Sequence, residues 1–194
     1  MGDNCCIDFL LLTVRRMFLG RDNIWEGDIT IAYAGGRIDD CDYSNCVDAI
    51  YMNYEKGQRV FEIDFAVTSD NKLVGKHDWD YVVQEGGVTG DVWDEQRFLN
   101  VPIFGRYEPL SFGILCGILE EKPDIWIVTD TKDVEEEAVR REFEIMVNTA
   151  HEVGKENVLD RIIVQIYNEE MYDIVHDVYG VHICLAGRGR WKRY

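Results

Sequence analysis

The stretch FEIDFAVTSDNKLVGKHDW, Phe61 to Trp79, decides how the rest of this sequence is interpreted. Val60 to Phe65 alternates as a strand does, so Glu62 and Asp64 share one face and apolar side chains share the other. Two neighbouring carboxylates repel each other unless a cation or a proton lies between them. The pair is therefore a hard-metal site, a coupled acid and base, or a solvated strand face.

A turn and a second short strand follow this pair of carboxylates. Ser69-Asp70-Asn71 predicts the turn, and Leu73 to His77 predicts a strand that leads into Asp78. Histidine titrates near neutral pH and can pass a proton. The apolar opposite face and the His-Asp pair favour a functional site over a solvated face. A metal beside a proton shuttle indicates hydrolysis.

The ordered series of motifs resembles the glycerophosphodiester phosphodiesterase family, metal-dependent (β/α)8 barrels that cleave phosphodiesters of glycerol. The resemblance begins at the ExD motif of residues 62–64, the TSD turn of residues 68–70 and VGKHD at residues 74–78. It extends upstream to IAYAGG (31–36) and YSNCVDAI (43–50), and downstream to WIVTDTKD (126–133) and IIVQIY (162–167). It covers roughly Asp28 to Val181.

The resemblance implies a metal and substrate site at the C-terminal ends of the strands. Glu62, Asp64 and Asp130 would hold a divalent metal, and three carboxylates favour Mg²⁺ or Ca²⁺ over zinc. Lys132 would face the phosphate, with a surface ion pair as its alternative. Gln165 would bind substrate, with a structural hydrogen bond as its alternative.

The resemblance assigns catalytic positions to His77 and Tyr33. His77 would donate a proton to the leaving oxygen. Tyr33 stands where the family has a second histidine, and a phenol that titrates near ~10 is a poor base at neutral pH. Its hydroxyl would bind a phosphate oxygen, or its ring would fill the barrel mouth. Of the family's Glu-Asn-Thr motif only Asn45 is present, after Ser44.

Strand and helix patterns predict an α/β fold. The resemblance implies that this fold is an incomplete (β/α)8 TIM-type barrel of the phospholipase C-like phosphodiesterase architecture. Helices are predicted from Ser44 to Gly57, from Ser111, from Val134 to Val153 and from Asn168. About six strands are predicted, at Ile29 to Tyr33, Val60 to Phe65, Leu73 to His77, Ile125 to Asp130, Ile162 to Ile166 and Val181 to Leu185.

The length of 194 residues allows one sizeable core, whereas a complete barrel of this kind usually needs ~250 residues. The predicted organisation is an N-terminal extension (1–27), an incomplete barrel (28–185) and a basic tail (186–194). The aperiodic stretch from Asp80 to Leu110 predicts a functional lid or a disordered loop. The resemblance implies that an insertion here shapes the substrate pocket, with Trp79, Trp93 and Phe98 lining it or forming core. An open barrel exposes strand edges, which predicts a truncated piece or a homo-oligomer that covers them.

The composition of the chain limits which binding partners and which cellular location are expected. A formal net charge of −17 argues against nucleic acid and anionic membrane, so a small phosphodiester must meet a locally positive site. The apolar run from Cys5 to Val14 is too short for a transmembrane segment, and the six cysteines follow no zinc spacing. Reduced cysteines without a leader pattern predict a cytoplasmic protein.

These observations predict a metal-dependent hydrolase that converts glycerophosphodiesters to an alcohol and glycerol phosphate. The alternative is an impaired relative that binds a phosphodiester or metal without efficient turnover, since Tyr33 replaces a proton-transfer group. A third interpretation is an unrelated α/β barrel fragment with fortuitous motifs.

Overall fold

The computed structural model describes residues 30–179 and 184–186. Its six strands are β1 (Ile31–Ala32), β2 (Val60–Val67), β3 (Leu73–Gly75), β4 (Trp126–Asp130), β5 (Ile162–Ile166) and β6 (Cys184–Ala186). Its helices are α1 (Val47–Glu55), α2 (Glu95–Asn100), α3 (Phe112–Glu121), α4 (Glu136–Glu152) and α5 (Glu169–Tyr179). Two 3-10 turns lie at Tyr33–Gly35 and Glu156–Arg161.

Five parallel strands form the sheet in the order β1, β2, β4, β5, β6. The short strand β3 is outside this order and pairs only with β2 among the described residues. Parallel neighbours need crossover connections, and helices supply them here, as in (β/α) barrels. The sheet does not close within the described residues. This confirms the predicted fold class, an incomplete (β/α)8 barrel with about six strands.

The strand predicted at Leu73 to His77 was wrongly counted among the barrel strands. It ends at Gly75 and pairs antiparallel with β2, with Phe65 opposite Gly75 and Val67 opposite Leu73. The reason is a tight turn, in which Thr68 N–H donates to the Lys72 carbonyl at 2.9 Å. Such a turn returns the chain beside the strand it has just left, which can only give antiparallel pairing.

The ends of two other strands also differ from the prediction. Tyr33 belongs to a 3-10 turn instead of β1, because Ala34, Gly35 and Gly36 adopt left-handed φ angles of 49°, 81° and 92° that leave the strand conformation. The sixth strand runs over Cys184–Ala186, and residues 181–183 of its predicted range lie outside the described residues.

Two of the four predicted helix starts are confirmed by an N-cap hydrogen bond. The Ser111 hydroxyl accepts from the Ile114 N–H at 3.4 Å, and Asn168 Oδ1 accepts from the Met171 N–H at 2.7 Å, as predicted. Ser44, however, does not cap α1; Cys46 does, because Asn45 between them has a left-handed φ of 47°. The long helix predicted from Val134 begins at Glu136.

The main core lies between β2 and the helices α3 and α4, where Phe61, Ile63 and Phe65 pack on the outward face of the sheet. A second cluster lies under the stretch from Asp80 to Leu110, which contains α2. Trp93 and Phe98 are buried in that cluster and so form core, although Trp93 also lines a small cavity beside Trp79. Only Trp79, of the three aromatic residues considered for the pocket, lines a cavity near the strand ends.

The predicted extension (1–27) and almost all of the predicted basic tail (186–194) lie outside the described residues, so this division of the chain stays a prediction. In residues 30–179 and 184–186, none of the helices has the apolar length that a bilayer crossing requires.

The Phe112→Ala substitution tests the main core. Phe112 is fully buried and its ring meets the Phe65 ring edge to face at 5.7 Å. We expect the free energy of unfolding to fall by about 3–5 kcal/mol, since the change removes burial and leaves a cavity. Urea denaturation followed by circular dichroism measures it. The exposed Met52→Ala substitution in α1 is the control, with an expected change within about 0.5 kcal/mol. A loss below about 1 kcal/mol for Phe112→Ala would contradict this packing.

Candidate active site

Three buried carboxylates converge at the C-terminal ends of two neighbouring parallel strands. Glu62 and Asp64 alternate on β2, and the register of β2 with β4 places Asp64 opposite Asp130. One carboxylate oxygen from each residue lies within 4.8 Å of the others, and all three side chains are buried. The structure therefore brings the three predicted metal ligands together, on the inward face opposite the apolar side chains of β2.

Two residues that precede α1, Ala34 and Asn45, hold two of these carboxylates. The Ala34 N–H donates to Glu62 Oε2 at 2.9 Å. Asn45 makes two bonds to Asp64, since its amide donates to Oδ2 at 2.9 Å and its Oδ1 accepts from the Asp64 N–H at 3.1 Å. Both Ala34 and Asn45 have left-handed φ angles, 49° and 47°, so the backbone accepts strain to make these contacts.

Lys132 lies between the carboxylates of Asp64 and Asp130. Its Nζ is 2.6 Å from Asp64 Oδ1 and 2.6 Å from Asp130 Oδ2. Burial acts to lower the pKa of Lys132, but the two carboxylates hold that pKa above its ordinary value. One ammonium among three carboxylates leaves the cluster negatively charged. Lys132 thus contacts metal-ligand candidates directly, and is not the surface ion pair considered from the sequence.

The Glu62 carboxyl, unlike Asp64 and Asp130, has no ion pair among the described residues. Its Oε1 is buried and, within the described part of the chain, has no hydrogen-bond partner. Burial, and then the charge of Asp64, raises the pKa of Glu62 to about 8. A buried carboxyl oxygen without a donor is costly unless it holds a proton or faces a cation. Three carboxylates are hard oxygen donors, so this cluster can hold a divalent metal such as Mg²⁺ or Ca²⁺.

Tyr167 is a site residue that sequence reasoning missed. Its hydroxyl donates to Asp130 Oδ1, and Gln165 Nε2 donates to the Tyr167 hydroxyl at 2.6 Å. Gln165 therefore reaches the carboxylate cluster through Tyr167. The signal was present in the sequence, because residues two apart on a strand share a face and Gln165 was already a candidate.

Tyr33 lies near the carboxylates while its ring is half exposed. Burial, and then the charges of Glu62, Asp130 and Asp64, raise the pKa of Tyr33 above its ordinary value. Its phenol is therefore protonated at neutral pH and can donate a hydrogen bond. It cannot act as a base there, which agrees with the expectation from the sequence.

His77 reaches the site from the loop after β3. Its Nδ1 pairs with Asp78 Oδ2, and both residues line a cavity of about 300 Å³ together with Lys132 and Trp79. The structure thus brings His77 to the same cavity as Lys132, whereas the ring itself pairs with Asp78. That pairing presents the other ring nitrogen for proton transfer.

Only the comparison of structures relates this chain to known proteins. No family model matches the sequence, and no curated protein matches it significantly. A glycerophosphodiester phosphodiesterase from Parabacteroides distasonis ATCC 8503 matches with a TM-score of 0.63 and 16% identity, over 80% of this chain and 63% of that one. The phosphodiesterase from Oleispira antarctica, solved in complex with the product sn-glycerol-3-phosphate, matches with a TM-score of 0.60 and 11% identity, over 80% and 63%.

A third solved structure is a glycerophosphoryl diester phosphodiesterase domain from Mycobacterium tuberculosis, with a TM-score of 0.58 and 16% identity over 80% of this chain and 59% of that one. The chain spans less than two thirds of each of these three structures. These matches show the fold, a barrel that is incomplete within the described residues, and the carboxylate cluster lies at the strand ends of this fold. More particularly, the fold is that of the glycerophosphodiester phosphodiesterases, which confirms at the level of fold the resemblance found in the motifs.

Divalent cations should stabilise this chain through the carboxylate cluster. At 100 times the Kd, a bound cation adds about 2.7 kcal/mol, which raises the Tm by roughly 5–10 °C. Differential scanning fluorimetry with Mg²⁺ and Ca²⁺ measures the shift. We expect a larger shift at pH 9 than at pH 6, because a cation competes with the proton on Glu62, whose pKa is about 8.

Two glutamine variants test whether the carboxylate cluster causes this cation-dependent rise in Tm. Glu62→Gln should abolish it, since it removes a ligand from the cluster. Glu144→Gln should keep it, because Glu144 is an exposed carboxyl on α4 that lies outside the three-residue cluster and does not line the cavity with His77 and Lys132. An equal cation shift in the wild type and Glu62→Gln would exclude this cluster as the metal site.

Proposed function

We propose that the protein hydrolyses glycerophosphodiesters to an alcohol and glycerol phosphate. The observation that carries the proposal is the buried cluster of Glu62, Asp64 and Asp130, with Lys132 among them, at the strand ends of a glycerophosphodiester phosphodiesterase fold. A divalent metal, Mg²⁺ or Ca²⁺, would be held by the three carboxylates and would polarise the phosphate and neutralise its developing charge. The substrate is a small molecule, in keeping with the net charge of −17, which disfavours nucleic acid.

The residues around the carboxylates keep the ligand set in place. Asn45 fixes Asp64 through two hydrogen bonds, and Tyr167 fixes Asp130 through its hydroxyl. Ligands whose orientation is set before binding lose less entropy when they bind. We assign to Lys132 the binding of a phosphate oxygen, because its ammonium is held 2.6 Å from two of the carboxylates that the phosphate would approach.

His77 is assigned the proton transfer to the leaving oxygen. Its Nδ1 pairs with Asp78, so the ring is oriented and the opposite nitrogen faces outward for donation. Asp78 is a positioning residue in this scheme. His77 and Lys132 line one cavity, which supports assigning His77 to the leaving oxygen and Lys132 to the phosphate of one substrate.

A second candidate function is binding with slow turnover, and Tyr33 is the observation that favours it. A second proton-transfer group contributes a factor of about 10² to 10⁴ in rate, and a phenol whose pKa lies above its ordinary value does not supply it at neutral pH. In either function Tyr33 donates a hydrogen bond to a phosphate oxygen. The predicted cytoplasmic location, and a homo-oligomer that covers the open edges of the sheet, belong to this proposal as well.

Hydrolysis of glycerophosphocholine tests the proposed function. We expect release of glycerol phosphate in the presence of Mg²⁺ or Ca²⁺ and none with a chelator, measured by a coupled enzymatic assay. Glu62→Gln and His77→Ala should each lower kcat by at least about 10², since one removes a metal ligand and the other a proton donor. Glu144→Gln, an exposed change on α4 outside both the cluster and this cavity, is the control. Turnover that is insensitive to a chelator would contradict the proposed metal site.

The same assay separates hydrolysis from impaired turnover. If Tyr33 limits the rate, Tyr33→His should raise kcat by about 10² to 10⁴, whereas Tyr33→Phe should not raise it. Cation binding without turnover in the wild type, with turnover restored in Tyr33→His, would support impaired turnover. Failure of divalent cations to raise the Tm would contradict both candidate functions.

A further inference from the structure

Lys76 is a buried lysine directly before His77, and the proposed reaction leaves it without a role. It is only 6% exposed, although lysine is seldom buried to this extent unless it is paired. Its Nζ donates to the Tyr81 carbonyl at 2.6 Å and lies 5.4 Å from the centre of the Trp79 ring. Its backbone N–H donates to the Asp64 carbonyl at 3.0 Å. The Lys76 side chain is therefore held in place just after β3.

A chain of contacts leads from Lys76 to the His77 ring. Tyr81 accepts from Lys76 through its carbonyl and donates its N–H to Asp78 Oδ1 at 2.7 Å. The Asp80 N–H donates to the same oxygen at 2.9 Å. The other oxygen of Asp78, Oδ2, pairs with His77 Nδ1. Lys76 thus fixes the backbone that fixes Asp78, and Asp78 in turn orients the imidazole.

Lys76 also interacts with Asp78 through its charge. Burial lowers the pKa of Lys76 below its ordinary value, and the charge of Asp78 opposes this lowering. When His77 is protonated, Asp78 therefore faces two cations, the imidazolium and the Lys76 ammonium. Two cations near one carboxylate repel each other, so the ammonium weakens the attraction that keeps the proton on His77.

Other charged groups line the cavities beside Lys76 and His77. Asp91, in the small cavity beside Lys76, pairs with Arg97 at 3.2 Å. Lys132, in the cavity with His77, is paired with two carboxylates of the cluster. All of these groups stay in place when Lys76 is replaced, so a change in proton transfer can be assigned to Lys76. The remaining charged residues that line the cavity with His77 and Asp78 are Asp133, Arg141 and Glu142.

We propose that Lys76 is a positioning residue for proton transfer by His77, because it fixes the loop that orients Asp78 and limits how strongly Asp78 retains the imidazolium. This inference rests on the proposed function, since it concerns the proton donor of that reaction. Orientation matters because two cavities meet at His77 and Asp78, the one of about 300 Å³ described above and one of about 280 Å³ lined also by Tyr43 and Tyr81. An imidazole without its fixed partner can turn toward either cavity.

Lys76→Met tests this proposal, because methionine keeps most of the buried volume and removes the charge and the donor. With the full chain, Mg²⁺ and glycerophosphocholine, we expect kcat to fall about tenfold and KM to change less than about twofold, since the role concerns proton transfer and not substrate binding. The alkaline limb of the pH profile of kcat should move to higher pH, because His77 retains its proton longer without the ammonium.

Lys76→Gln separates the charge from the hydrogen bond. Glutamine removes the charge and keeps a donor, so this variant should show the same shift of the pH profile with a smaller fall in kcat. It also decides the test if methionine disturbs folding, which circular dichroism melting of each variant reveals. Lys72→Met is the matched control, since Lys72 belongs to the same hairpin, pairs with Glu152 at 3.0 Å and lines neither cavity. It should leave kcat and its pH profile unchanged.

A second readout, which needs no turnover, is the NMR titration of the His77 ring signals, identified by their loss in His77→Ala. The midpoint of this titration should rise by roughly half a pH unit or more in both Lys76 variants, the size expected of one nearby charge. The Lys72→Met control should titrate as the wild type does.

Three results distinguish this inference from the proposed function. Hydrolysis with unchanged kcat and an unchanged His77 titration in both Lys76 variants would overturn the role of Lys76 and leave the hydrolase in place. A raised midpoint in both variants, without hydrolysis by the wild type, would support the action of Lys76 on His77 and overturn the hydrolase. A fall in kcat with a lower Tm and an unchanged midpoint would show a merely structural lysine and overturn the proposal.

Discussion

The mutual repulsion of three buried carboxylates is the constraint on which the rest of this structure depends. Alternation on β2 and the parallel register with β4 bring Glu62, Asp64 and Asp130 to one place. Burial removes the water that would otherwise stabilise their charges. The surroundings supply one ammonium, an amide, a phenol and a backbone N–H, and one oxygen of Glu62 has no donor among the described residues. A cation or a proton completes this arrangement.

Three residues that contact the same cluster have a strained backbone conformation. Ala34, Asn45 and Lys132 all have left-handed φ angles, and all three donate hydrogen bonds to the carboxylates. A left-handed conformation costs a residue with a Cβ roughly 1–2 kcal/mol, with Asn the most tolerant. Strain of this kind persists where the contacts around it outweigh its cost. Its concentration at the strand ends is what a site that positions charges requires.

The hairpin formed by β2 and β3 joins this cluster to the protein surface. Antiparallel pairing turns the chain back over the strand end, so that His77 and Asp78 follow directly at the rim. The two cavities that meet there have different chemistry. One is lined by Lys132, whereas the other is lined by Tyr43 and Tyr81.

The sequence by itself determined the local features of this protein. Alternation in Val60 to Phe65 assigned the faces of β2, and Ser111 and Asn168 marked helix starts, because strand faces and caps depend on neighbours a few residues away. The tertiary structure alone decided that Tyr167 bonds Asp130, 37 residues away. It also moved the start of α1 from Ser44 to Cys46, because Asp64, 19 residues further along the chain, draws Asn45 out of the helix. These contacts join residues that only the folded sheet brings together, so no local pattern encodes them.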